Sequence, residues 1–254
     1  EDRCRLIFTP NPEILLKAKT DINYKKSLNS ADILIPDGSG ILFASKLLRG
    51  GIKSTLTGVD LSEYILAYAS RHSLSVTIVL ADEGLTSVSD ARMYFEKYFS
   101  DLDVKFISAT KHYRKSGHIL ADINSYRSEV LLVATGAPEQ ELWLNKHRDH
   151  LTAARIAVGI GGAIDMIVGA VKRAPKLVRR MHLEWLWRLV IPPRKTPLRK
   201  IRRSGRVLKA TVIFPMHVML DTCRSLFRYR KNVLAFVFKS KDEIISTLAT
   251  TLIE

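Results

Sequence analysis

Of 254 residues only two are cysteine, Cys4 and Cys223, far apart and without partners at metal-ligand spacing. Such usage excludes a disulfide framework and fits two free thiols in a reducing compartment. Long apolar runs are also missing: none approaches the roughly 20 residues needed to span a bilayer, and no charged-then-apolar signal sequence opens the chain. The chain instead begins almost on a strand, as expected where a further N-terminal segment precedes it. Neither the glycine fingerprint of dinucleotide-binding folds nor a Walker-type phosphate loop occurs. A Rossmann-type oxidoreductase therefore lacks its signature, and sheet topology by itself would not supply the chemistry.

Acidic residues are scarce in one region only. Residues 172–254 hold twenty Lys and Arg against five Asp and Glu, which accounts for the whole net charge of +15; residues 1–171 are balanced at twenty of each. A one-sided basic segment seeks polyanions, either nucleic acid or an anionic membrane face, and charge alone does not choose between them.

What is present is a regular alternation. Six short runs rich in Val, Ile and Leu recur: RLIF (5–8), ILIP (33–36), VTIVLA (76–81), VKFISA (104–109), VLLVATG (130–136) and RIAVGIGG (155–162). Runs this apolar, without strict alternation, predict strands buried on both faces of a parallel sheet. Between them, SEYILAYASRH (62–72), SVSDARMYFEKYF (87–99) and PEQELWLNKHRDHL (138–151) carry helical spacing, the last with Pro138 and acids in its first turn. Asp60 reads as the cap of the first of these. The expected fold is α/β: a Rossmann-like parallel sheet of about six strands with helices on both faces. At 46% hydrophobic residues the chain is long enough for one such domain plus an appendage.

After Gly169 the pattern changes to basic clusters interleaved with short apolar patches, among them KLVRRMHLEWLWRLV (176–190), VIFPMHVML (212–220) and VLAFVF (233–238). This suits a segment lying on a membrane rather than through it. The expected division is a catalytic domain over residues 1–193 and a basic, helical C-terminal appendage over 194–254. The competing reading is a basic-tailed nucleic-acid-binding α/β protein without enzyme activity. It leaves those apolar patches without a purpose.

In a doubly wound sheet, ligands bind beyond the carboxyl ends of the strands. The polar clusters fall there: Thr9 and Asn11 in FTPNPE, Asp37 and Gly38 in PDGSG, Gly136 and Gln140 in ATGAPEQE, and Gly161, Gly162 and Asp165 in GIGGAID. Each glycine is either an ordinary turn residue or a place where backbone approaches a ligand. Asp37 is either a turn former or cap for the following helix, or a general base at the mouth of the sheet. Asp165 reads as a capping or supporting acid.

FTPNPE, ADILIPDGSGILFASKLL, TGVDL, GAPEQELW, VGIGGAIDMIVGAVKRAP and LEWLWRL, in this order and approximate spacing, resemble the WecG/TagA/CpsF glycosyltransferases, glycosyltransferase family 26. The likeness covers roughly residues 5–200. It implies an inverting, metal-independent enzyme without a cofactor. Such an enzyme moves N-acetylmannosamine, or a related sugar such as its uronic acid, from a UDP-sugar donor to a polyprenyl-diphosphate-linked sugar acceptor in bacterial cell-surface polysaccharide biosynthesis. It further implies a cytoplasmic, peripheral protein on the inner face of the cell membrane, held to the anionic surface by its basic C-terminal third. Nucleic acid is then not a partner, and a homo-oligomer is compatible with the pattern.

Position by position, the resemblance makes Asp37 the base, Thr9 and Asn11 active-site ligands, and Gln140 a contact to donor or acceptor. Gly38, Gly136, Gly161 and Gly162 become substrate-binding turns, and Arg173 matches the family's arginine. Arg188, Arg194, Arg199 and Arg202 are candidates to meet the diphosphate from the appendage. Asp82 and Glu83 stand where the family has small residues after its third strand, close to where a nucleotide would approach.

Overall fold

The computed structural model describes residues 3–48, 51–110, 117–181, 184, 186–187 and 213–227. The expected strands form: β1 (Arg5–Phe8), β2 (Ile33–Leu34), β3 (Val76–Ala81), β4 (Val104–Ala109), β5 (Val130–Ala134) and β6 (Ile156–Gly159). All pair in parallel in the order β2-β1-β6-β5-β3-β4. Three of the six runs, 5–8, 76–81 and 104–109, are strands over their whole length, whereas the fifth stops at Ala134 and the sixth spans only Ile156–Gly159. The second is cut to two residues, because Pro36 has no N–H to extend a ladder.

Alternate strand residues point to opposite faces, and each face has its own core. On one side Leu6, Phe8, Val79, Leu131, Val133 and Ala157 meet α1 (Pro12–Thr20), α2 (Ile22–Asn29), α6 (Gly117–Tyr126) and α7 (Glu139–His147). On the other, Ile7, Ile78, Leu80, Leu132 and Val158 meet α4 (Gly58–Arg71), α5 (Val88–Tyr98) and α8 (Ala163–Ile167). The chain therefore leaves β1 toward one face and the adjacent β6 toward the other, opening a crevice between them at the carboxyl end of the sheet.

Helix starts follow local chemistry, with one correction. Thr57, not Asp60, caps α4: its hydroxyl accepts from the Asp60 N–H, and Asp60 sits in the first turn. Ser87 caps α5 in a reciprocal box with Asp90. The α7 helix runs only to His147, after which Arg148–His150 tighten into a 3-10 turn.

At the amino end of the sheet Arg148 is buried, donating through Nε to the Cys4 carbonyl at 2.8 Å and pairing with Asp32. Asp32 also accepts from the Leu6 N–H at 2.7 Å, so one ion pair joins the turn after α7 to β1 and the start of β2. Cys4 is buried and free; burial pushes its thiol up to about 12.

Two further helices flank the mouth of the sheet: α3 (Ser39–Leu47), which follows the PDG turn, and α9 (Lys176–Arg180). Part of the basic C-terminal third is also described, as α10 (Phe214–Phe227). Its Phe214 and Val218 pack with Ile41 and Ala44 of α3, against Leu15 and Leu16 of α1. No helix among the described residues is long and apolar enough to cross a membrane. The expected boundary near 193 and the patch at 233–238 lie outside the described residues.

Candidate functional site

Register brings the polar turns level. Phe8 pairs with both Leu34 and Gly159, and Val133 pairs with Gly159, so the residues after β1, β2, β5 and β6 form one rim. Two groups of side chains occupy it.

The first is the corner made by β1 and β2. Thr9 is buried, and its hydroxyl donates to the Gly159 carbonyl at 3.1 Å, tying β1 to β6. Asn11 caps α1, its Oδ1 accepting from the Ile14 N–H at 3.0 Å. The Asp37 backbone N–H donates to the Pro10 carbonyl at 2.9 Å, which fixes the PDG turn to the first-strand loop. Gly38 follows with φ +90°, a conformation costly for any side chain-bearing residue, and a Cβ there would stand 4.0 Å from Pro12 Cδ. Gly38 itself is the cap position of α3, so Asp37 precedes the helix by one residue and is partly exposed. Thr9, Asn11 and the turn carrying Asp37 thus lie at one corner of the strand ends.

The second group lies over β5 and β6. Gln140, in the first turn of α7, is only 2% exposed. Its Oε1 accepts from the N–H groups of Gly136 at 3.1 Å and Gly161 at 3.0 Å, and its Nε2 donates to Glu141 Oε1 at 2.7 Å. The carboxamide is thus engaged within the protein, joining the turns that follow β5 and β6. Gly162 caps α8. Asp165 of α8 accepts from the Thr86 N–H at 3.1 Å and hydroxyl at 2.8 Å, pinning the loop after β3. In that loop Asp82 accepts from the Ser108 hydroxyl at the end of β4, and Glu83 is exposed.

Arg173 lies beside the N-terminus of α4, whose Gly58 abuts the Ile160 carbonyl and Thr9. It pairs with Asp60 at 2.7 Å and Glu63 at 3.4 Å, and donates to the Thr57 hydroxyl at 3.3 Å. Burial raises the Asp60 pKa, but the Thr57 hydroxyl and the Arg173 guanidinium outweigh it and hold that carboxyl below its ordinary value. Arg188, Arg194, Arg199 and Arg202 lie outside the described residues.

Sequence reasoning passed over Glu141 and Tyr24. Both are fully buried behind Gln140, with the Tyr24 hydroxyl donating to Glu141 Oε2 at 3.0 Å. Helical spacing marks only Gln140, three and four residues before Trp143 and Leu144 on the buried stripe of α7; Glu141 is buried by a partner distant in sequence.

Comparison with known proteins gives the family. The family model described as "Glycosyl transferase WecG/TagA/CpsF family" matches residues 1–224. The chain is 34% identical over 194 residues to an N-acetylglucosaminyldiphosphoundecaprenol N-acetyl-beta-D-mannosaminyltransferase of Bacillus spizizenii, covering 76% of this chain and 74% of that protein. Proteins of the same name from Bacillus subtilis (29% over 189 residues, 74% and 72% covered) and Staphylococcus aureus (27% over 190 residues, 73% and 71% covered) are also similar. With a family match over most of its length, the chain belongs to the WecG/TagA/CpsF family of glycosyltransferases.

Proposed function

We propose that the chain transfers N-acetylmannosamine, or a related sugar such as its uronic acid, from a UDP-sugar to a polyprenyl-diphosphate-linked sugar. Its relatives are named for transfer of N-acetylmannosamine to N-acetylglucosaminyldiphosphoundecaprenol. The observation that carries the reading is the meeting of Asp37, Thr9 and Asn11 at one corner of the strand ends.

In this reading Asp37 removes the proton from the acceptor hydroxyl. The freed oxygen attacks the anomeric carbon from the face opposite UDP, the bond to the diphosphate breaks, and the configuration inverts. Negative charge growing on UDP is met by backbone N–H groups at helix starts and by guanidinium groups. Arg173 is the described candidate, and it can serve the diphosphate only by exchanging part of its contact with Asp60 and Glu63.

The membrane supplies the acceptor, and peripheral binding at the inner face fits a basic third without a spanning helix among the described residues. Met216, Met219 and Leu220 of α10, with Leu177 and Met181 around α9, expose apolar side chains suited to an interface.

Transfer of labelled sugar from UDP-N-acetylmannosamine to a lipid-linked N-acetylglucosamine tests the reading, run with and without a chelator to test metal independence. Asp37→Ala is expected to lower turnover by about 100-fold or more while UDP binding persists. Wild-type turnover in that variant removes Asp37 from the mechanism.

A further inference from the structure

Beneath the rim lies a buried titratable pair, Glu141 and Tyr24, to which the transfer chemistry gives no task. Glu141 is inaccessible to solvent, yet both carboxylate oxygens are used: Oε1 accepts from Gln140 Nε2 at 2.7 Å and Oε2 from the Tyr24 hydroxyl at 3.0 Å. Ser27 adds a third tie, its hydroxyl donating to the Glu141 carbonyl at 2.9 Å. Burial raises the Glu141 pKa, and burial together with the neighbouring carboxylate raises that of Tyr24. Tyr24 therefore remains a hydroxyl donor at neutral pH.

The Gln140 carboxamide has two orientations, and its neighbours tolerate one. Its oxygen faces two backbone donors, the N–H groups of Gly136 and Gly161. If the amide flipped, its NH2 would confront both donors, and its oxygen would confront an acceptor-only carboxylate. Gly159 leaves the space in which this group sits: a Cβ there would meet Gln140 Nε2 at 2.9 Å and Cδ at 3.3 Å. Gly136 and Gly161 both have positive φ, +90° and +54°, and this single oxygen bonds the N–H of each.

We propose that Glu141, held by Tyr24, is a positioning residue: it sets the Gln140 carboxamide so that one oxygen clamps the turns after β5 and β6, pre-forming the backbone surface that receives the diphosphate-bearing donor. The clamp is seen in the geometry; its service to the donor rests on the proposed function. Gln140 is accordingly a structural clamp, a role different from the direct contact that the family resemblance implies.

The test combines amide hydrogen exchange with UDP titration in wild type, Glu141→Leu, Glu141→Gln and Tyr24→Phe. In Glu141→Leu the Gly136 and Gly161 amides are expected to exchange at least about tenfold faster while amides of β3 keep their protection, and UDP affinity falls by about tenfold. Glu141→Gln restores both, because its amide oxygen can accept from Gln140 while its NH2 faces the Tyr24 oxygen. Tyr24→Phe loosens both amides to a lesser degree, and it carries the test alone should Glu141→Leu not fold. Unchanged exchange at Gly136 and Gly161 in Glu141→Leu, or in Tyr24→Phe where that variant stands alone, overturns the clamp. Faster exchange with unaltered UDP affinity overturns the positioning role. A wild-type chain that binds no UDP overturns the donor reading itself, and this is seen before any variant is compared.

Discussion

At Asp60 the Thr57 hydroxyl, Arg173 and Arg179 converge on a single carboxylate. Its pKa lies below the ordinary 3.8, so its stabilising contribution is fully present above that value and is lost as pH falls through the lower, folded-state value. Urea denaturation of wild type and Asp60→Asn is therefore expected to show a constant difference from pH 8 down to about 5, closing below about 4. A difference that varied between pH 6 and 8 would mean another group titrates there. Two acids face two arginines at this point, so the local charge is balanced before any substrate arrives. Arg173→Ala should accordingly cost stability as well as donor affinity.

Among elements, the turn carrying Asp37 is constrained from two directions. Behind it, the Asp37 N–H holds the first-strand loop. Ahead of it, α3 is packed under α10 through Ile41, Ala44, Phe214 and Val218. Truncating Phe214 to Ala is expected to cost about 3 kcal/mol, at the low end for a buried aromatic because the cluster is small and peripheral. It should also raise hydrogen exchange in α3 and slow transfer without changing UDP affinity. Full turnover in a variant whose α3 exchanges faster would uncouple the two helices from the chemistry.

The opposite end of the sheet behaves differently. Removing Arg148 leaves the buried Cys4 carbonyl without its side-chain donor and Asp32 with only Arg3 and the Leu6 N–H, for an expected cost of about 2 kcal/mol measured by urea denaturation, with UDP affinity retained.

Most of these elements could be read from the sequence, and for a physical reason. Strands buried on both faces must be continuously apolar, so VTIVLA and VLLVA announce themselves, and the turns after them must hold the polar groups. The corner of Thr9, Asn11 and Asp37 followed from that rule together with the family motifs. Tertiary partners were not legible. Glu141 looks like an acid favoured at a helix start, because nothing local to PEQELW reveals that Tyr24, over a hundred residues earlier, will bury it. Arg148 likewise reads as a surface cation until β1 and β2 enclose it.

For the molecule as a whole, charge and apolar exposure coincide in sequence. Residues 188–212 carry nine Lys and Arg and no acid, and lead directly into α10 with its exposed Met216, Met219 and Leu220. Each basic residue near an anionic surface contributes about 1 kcal/mol, which salt screens over a length of about 10 Å at 0.1 M. Flotation with phosphatidylserine vesicles should therefore recover the protein at low salt and lose much of it at high salt, with little bound to neutral vesicles. Duplex DNA binding without vesicle binding would instead support a nucleic-acid partner.

The burial of Cys4 gives the folded chain one more property. A thiol enclosed at the foot of β1, with its proton held up to about pH 12, is closed to alkylating reagents. Any thiol label taken up by the native protein must then report Cys223, the second of only two cysteines, which lies within α10. The helix packed beside the turn that carries Asp37 thus contains the one cysteine besides Cys4. If the proposed function holds, an environment-sensitive dye placed there is expected to respond both to vesicles and to substrate.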